Sequence, residues 1–176
     1  MVVVGDSQVG KTTLLMSFGS SSSFLPTLLD DFRVDLEVDG SIRSIQVSDT
    51  PGFSDYDRIR PFVLQNASAL LLCFSMSSWI SFQRAETFLY PQIRSCCPKA
   101  AMILVGTKLK SGDSAIQVST DQATRFAQRI GAIYRQVDIG DRRAVEQLFR
   151  LAVTEADKKN NILNSQGTAF PFCTVL

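Results

Sequence analysis

Gly5-Asp6-Ser7-Gln8-Val9-Gly10-Lys11-Thr12 carries two glycines, a lysine and a hydroxyl at the spacing G-x-x-x-x-G-K-T, which suits the capture of a phosphate anion. Gly5 and Gly10 are expected to let the backbone curl, so that successive N–H groups point inward and form an anion nest. Lys11 places a full positive charge on the outer phosphates. The Thr12 hydroxyl is a ligand for a magnesium ion that bridges them, and Thr13 joins the same contact set. The element order supports this chemistry. Met1-Val2-Val3-Val4 reads as a strand, and Leu14 to Phe18 reads as the first turns of an amphipathic helix. The positive end of that helix adds to the field of the nest.

A second candidate phosphate element is Asp49-Thr50-Pro51-Gly52. The Asp49 carboxylate can hold magnesium through water, and the Gly52 N–H can meet a terminal phosphate oxygen. Alone, D-x-x-G also fits an ordinary turn. At the end of a strand and beside the first loop, it gains weight.

Composition excludes several other chemistries. The chain of 176 residues is long enough for one domain with a full core, and 45% of it is apolar. A net charge of +1 gives no bulk electrostatic argument for nucleic acid. The 4 Cys lie at 73, 96, 97 and 173 without a C-x-x-C pair, so neither a disulfide framework nor a zinc site is expected. The absence of His removes histidine bases and His-ligated metals. No stretch has the apolar length of a membrane span and no basic-then-apolar leader opens the chain, so a cytoplasmic protein is expected.

Taken in order, the elements suggest how these residues are positioned. Residues 31–38 alternate polar and apolar, Asp39-Gly40 marks a hairpin, and Ile42 to Val47 alternates again, giving two antiparallel strands. Ala69 to Phe74 is continuously apolar, as befits a strand covered on both faces. Ser77-Ser78 caps a helix from Trp79 to about Arg94. Ala101 to Val105 is a further buried strand, and Thr107-Lys108 falls at its end. Ser119-Thr120 opens a helix that Gly131 stops, Ala132 to Val137 is the last strand, and Asp141 starts a helix to about Lys158. Trp79, Phe82, Phe88 and Cys73 are expected in the core. This alternation predicts an α/β fold: a three-layer, doubly wound, mostly parallel six-stranded sheet of the P-loop NTPase type. Its ligands bind beyond the C-terminal strand ends. The expected division is a domain over 1–159 and a flexible tail over 160–176.

The chain resembles a Ras-type small GTPase, and within that group is most similar to the Rho branch. The carrying residues are Gly5 to Thr12, Leu25-Pro26-Thr27, Asp49 to Gly52 and Asp55-Tyr56-Asp57-Arg58-Ile59-Arg60-Pro61. They continue through Cys73-Phe74-Ser75, Tyr90-Pro91 and Cys97-Pro98 to Val105-Gly106-Thr107-Lys108-Leu109. The resemblance implies a switch that binds GTP or GDP with Mg2+. It makes Thr12, Thr27 and Asp49 the metal set. Gly5 to Thr13, Thr27, Asp49, Gly52, Thr107 and Lys108 become the nucleotide contacts. The loops 24–31 and 52–61 would be ordered by the γ-phosphate and read by effectors, exchange factors or activating factors.

The departures from that pattern bear on turnover and specificity. Phe53 stands where the family usually has the glutamine that aligns the attacking water, and a phenyl ring neither donates nor accepts that bond, so slow hydrolysis is expected. Thr107-Lys108-Leu109-Lys110 replaces a base-reading motif that normally ends in Asp. Lys110 offers only donors to a guanine edge that needs an acceptor. Asp113 is a nearby carboxylate able to substitute. The third base-contacting segment corresponds to Val137-Asp138-Ile139-Gly140, a poor match that still offers N–H groups. Phe24 replaces a tyrosine usual near the phosphates, and Ser7 replaces a glycine usual in Rho proteins. The inserted helix of Rho proteins is missing before Ser119.

The chain ends Cys173-Thr174-Val175-Leu176, a C-a-a-X pattern whose terminal Leu points to a geranylgeranyl group on Cys173. One lipid gives reversible attachment, and Lys158-Lys159 is too small and distant to be a polybasic patch. Peripheral residence on the cytosolic face of a membrane, most simply the plasma membrane, is expected. Three readings stay open: a membrane-anchored GTP-binding switch with weak hydrolysis, a pseudo-GTPase scaffold that binds effectors without nucleotide turnover, and a fully working GTPase whose missing groups come from unusual positions.

Overall fold

The computed structural model describes residues 1–19, 31–53, 57–108 and 117–165. Thr27, Phe24, Lys110, Asp113 and Cys173, with the expectations placed on them, lie outside the described residues, as does the stretch 109–116 before the Ser119 helix. The strands are β1 (Val2–Gly5), β2 (Asp31–Val38), β3 (Ser41–Asp49), β4 (Ala69–Ser75), β5 (Ala101–Lys108) and β6 (Ile133–Asp138). They form one sheet in the order β2-β3-β1-β4-β5-β6. Only β2 and β3 pair antiparallel, through a turn in which Asp39 (φ 51°) and Gly40 (φ 74°) are both left-handed. Such a turn matches the twist of the strands it joins. β1 lies parallel between β3 and β4, with Val3 opposite Asp49 on one side and Leu71 on the other. The strand order therefore reverses at β1, and the first loop leaves from that point, where doubly wound sheets bind ligands.

The helices are α1 (Lys11–Gly19), α2 (Arg60–Leu64), α3 (Trp79–Arg84), α4 (Tyr90–Cys96), α5 (Thr120–Ile130) and α6 (Arg142–Ser165). Alternate residues of the central strands feed two separate cores. Val3, Leu71 and Ile103 pack with Leu14, Leu15 and Phe149, while Leu70, Leu72 and Leu104 pack with Phe82, Leu89 and Phe126. In the first core Phe18 stacks on Phe149 with ring centroids 3.9 Å apart, which fixes α1 against α6. Val4 to Gly10 hangs between this pinned helix and a fully buried strand, so its geometry is set from both ends.

Local signals operate as expected at most termini. Ser78 caps α3 by accepting from Ser81 N, and Ser119 forms a capping box with Gln122 at α5. Asp141 Oδ1 accepts from Arg143 N at the start of α6. Four expectations need correction. Helix α6 runs to Ser165, so a boundary at 159/160 would cut a helix. No Gly or Pro stops it there, and Lys159 Nζ anchors it on Ala100 O at 2.8 Å. The helix from Trp79 reaches Cys96 but passes through a π-helical turn, Ala85–Leu89, between α3 and α4. Strand β5 continues to Lys108 because β6 pairs with it that far. Trp79 and Phe88 are not core residues: both are about two-fifths exposed, at 42% and 41%, because Phe82 and Leu89 take the inward positions.

Candidate phosphate and magnesium site

The first loop leaves β1 at Gly5 and closes at Lys11, the first residue of α1. Gly10 has φ 86°, which favours glycine, and Gln8 has φ 60°. The curl thus falls on Gln8 and Gly10, not on Gly5. Gly5 is needed for a different reason: a Cβ there would lie 2.5 Å from the Cys73 carbonyl oxygen on β4. Val9 is buried under the loop, and its carbonyl accepts from the Thr107 hydroxyl at 2.7 Å. Thr107 Oγ1 also lies 3.0 Å from Phe74 O, so this buried side chain ties the end of β5 to the loop.

Lys11 is only 6% exposed, and its Nζ donates to Asp6 O at 2.7 Å. Burial holds its ammonium below the ordinary lysine range, although the charges of Asp49 and Asp6 partly oppose this. Across the loop, Thr12 Oγ1 donates to Asp49 Oδ2 at 2.8 Å. Burial raises the Asp49 carboxyl above its ordinary value, opposed by the Thr12 bond and the Lys11 charge. Asp49 Oδ1 is buried and has no hydrogen-bond partner. The Lys11 ammonium and the Asp49 carboxylate are thus both forms that burial disfavours. A polyphosphate would compensate the first and a hard cation the second. The oxygen donors of Thr12 and Asp49 suit magnesium, which takes few protein ligands and keeps water and phosphate as the rest. No group of three or more His, Cys, Asp or Glu that could hold a metal ion occurs among the described residues.

The remaining predicted residues take varied places. Gly52 is buried against the first loop, while Thr12, Thr13 and Gln8 are exposed at its mouth. Thr50 is buried, and its hydroxyl donates to Val3 O at 2.8 Å, which anchors the second element to β1. Phe53 is 59% exposed and lies in contact with solvent beside the cleft. In the segment after β6, Ile139 N donates to Lys108 O at 3.1 Å and Gly140 N to Asp138 Oδ1 at 2.9 Å, so these two of its N–H groups are engaged within the protein. Cys73 is also placed by burial, which pushes its thiol up to about 12 and leaves it inert.

A profile of the Ras family matches residues 1–158. The chain belongs to the Ras family. It is therefore a small GTP-binding protein, and the parallel sheet with its loop at β1 is the fold this family uses. Ras-family GTPases in general bind GTP or GDP with Mg2+ and work through effectors and regulators.

One part of the site was missed by the sequence reading. Asp57 accepts from both Arg84 and Arg60: Arg84 Nη2 lies 3.0 Å from Oδ2, and Arg60 Nη1 lies 2.7 Å from Oδ1. Arg60 is 2% exposed, bonded as well to Gln92 Oε1 at 3.0 Å. In the sequence the run Asp55 to Arg60 carries a family resemblance, and nothing local to Arg84 signals a partner so distant in sequence.

Proposed function

We propose that this chain is a Rho-like, magnesium-dependent GTP-binding switch that hydrolyses its nucleotide slowly and resides on the cytosolic face of a membrane. The observation that supports the switch best is the Thr12–Asp49 pair with its unpartnered Oδ1, beside the buried Lys11. Magnesium, when bound, screens the phosphate charges and holds them in a fixed geometry. Thr12 and Asp49 would hold it, with Thr27 as a further oxygen donor. Lys11 and the N–H groups of Gly10 to Thr13 bind and orient the phosphates. Slow turnover is supported by Phe53, whose ring has no polar atom to orient a water. The Rho-like assignment rests on the Asp55 to Pro61 and Val105 to Leu109 motifs, and the membrane assignment on the C-a-a-X ending at Cys173. The loops 24–31 and 52–61 are the surfaces proposed for effectors and for exchange or activating factors.

A pseudo-GTPase scaffold is the second reading, favoured by one specific observation: the segment expected to read the base has its Ile139 and Gly140 N–H groups engaged elsewhere. Purifying the protein with magnesium and identifying the nucleotide released on denaturation separates the two. Bound GTP supports the slow switch, bound GDP shows turnover, and an empty protein supports the scaffold.

A further inference from the structure

Asp6 sets a carboxylate inside a loop whose task is to receive an anion. Its position is fixed: Ser7 N donates to Asp6 Oδ1 at 2.9 Å, and its own carbonyl holds Lys11 Nζ at 2.7 Å. An uncompensated charge here would oppose phosphate binding through a medium less polar than water. The compensating group comes from a helix far along the chain. Arg84 closes α3 immediately before the π-helical turn, and its Nε lies 3.4 Å from Asp6 Oδ1. The other end of the same guanidinium forks onto Asp57, at 3.1 Å from Oδ1 and 3.0 Å from Oδ2. The cation stacks over Phe88 with its carbon 5.2 Å from the ring centroid. Arg84 Nε is buried with no hydrogen bond of its own, so its contact with Asp6 is purely ionic.

We propose that Arg84 is a positioning residue for the phosphate loop: it neutralises Asp6, keeps the Lys11 anchor in place, and ties the loop to the Asp57 turn. The role rests on the nucleotide-binding reading given above. The Asp6 carboxylate acts on the neighbouring Lys11 ammonium, which places its charge within electrostatic reach of the phosphates. Asp57 in turn is shared with Arg60, and Gln92 Nε2 donates to Asp57 O at 2.7 Å. Through this chain of contacts the loop, α3 and the start of α2 are held as one unit.

The test measures binding of fluorescent GDP and of a non-hydrolysable GTP analogue, with magnesium, to the full chain. Arg84→Ala is expected to weaken triphosphate binding about fivefold, and diphosphate binding less, because repulsion by a bare Asp6 scales with ligand charge. Asp6→Asn added to Arg84→Ala is expected to return affinity to near the wild-type value, since Asn keeps the bond from Ser7 N but carries no charge. Arg84→Lys, which keeps the charge and loses the fork, should fall between, and it serves if Arg84→Ala does not fold. Wild-type affinity in Arg84→Ala, or a double variant as weak as Arg84→Ala, overturns the role, the latter because a pure packing defect is not rescued at Asp6. A wild-type chain that binds neither nucleotide overturns the nucleotide reading and this role together.

Discussion

Gly52 and Ser7 are in backbone contact: a Cβ on Gly52 would stand 2.3 Å from the Ser7 amide nitrogen. The same atom would lie 2.5 Å from the carbonyl carbon and 2.6 Å from the carbonyl oxygen of Asp6. The two phosphate elements therefore touch without any side chain between them. A shift of either loop is felt by the other directly, which is the mechanical requirement for a switch that senses a terminal phosphate.

Gly52→Ala is expected to force the two loops apart, since backbone atoms cannot retreat as a flexible side chain can. We expect a loss of about 1–3 kcal/mol in stability, in the range for overpacking a tight contact, together with weaker triphosphate binding. Urea unfolding and nucleotide titration check both. Unchanged stability with unchanged affinity would show that the contact relaxes at no cost.

Phe53→Gln should supply an amide at the edge of the cleft where a phenyl ring is now exposed. Single-turnover hydrolysis of bound GTP is expected to rise on the order of tenfold or more, the scale of effects from positioning a nucleophile. An unaltered rate would place the defect elsewhere, in the base loop or in the region of Thr27.

Legibility in the sequence followed the range of the interactions. The left-handed turn at Gly10 was readable because its constraint is local. The hairpin at Asp39-Gly40 and the cap at Ser119 were readable for the same reason. Gly5 was assigned correctly to the loop but for the wrong cause, because its constraint is the Cys73 carbonyl on a strand far along the chain. Arg84 and Asp57 were not readable at all: their pairing depends on where α3 ends relative to the first loop, which no local pattern encodes. The length of α6 was missed although no Gly or Pro stands near Lys158 to stop the helix, which runs to Ser165.

Cys173→Ser is expected to move the protein wholly into the soluble fraction of cells. On the proposed reading a lipid on Cys173 supplies the attachment. Fractionation of both forms decides it, and a variant that still pellets removes prenylation as the anchor.

The charges of Asp49 and Lys11 should set opposite demands on stability and on binding. Burial raises the Asp49 carboxyl above 3.8, so the folded state favours the neutral acid. Its contribution to stability is complete below the unfolded value and is lost as pH rises through the higher folded value. The carboxylate, the form magnesium needs, is thus the form that burial disfavours. Protons and Mg2+ compete for it, so the rise in melting temperature given by magnesium with nucleotide should shrink as pH falls through that value. Lys11 is held below 10.5, so its contribution is regained as pH rises through the lowered value. Removing both charges together, as Lys11→Met with Asp49→Asn, avoids leaving either one alone. The nucleotide-free double variant is expected to be more stable than wild type by about 1–3 kcal/mol, as when other buried charged pairs are replaced by neutral groups. It should also show no magnesium-dependent nucleotide binding. Denaturant unfolding at neutral pH, without nucleotide or metal, measures the first effect. A double variant less stable than wild type would mean that the two charges support the fold as well as the ligand.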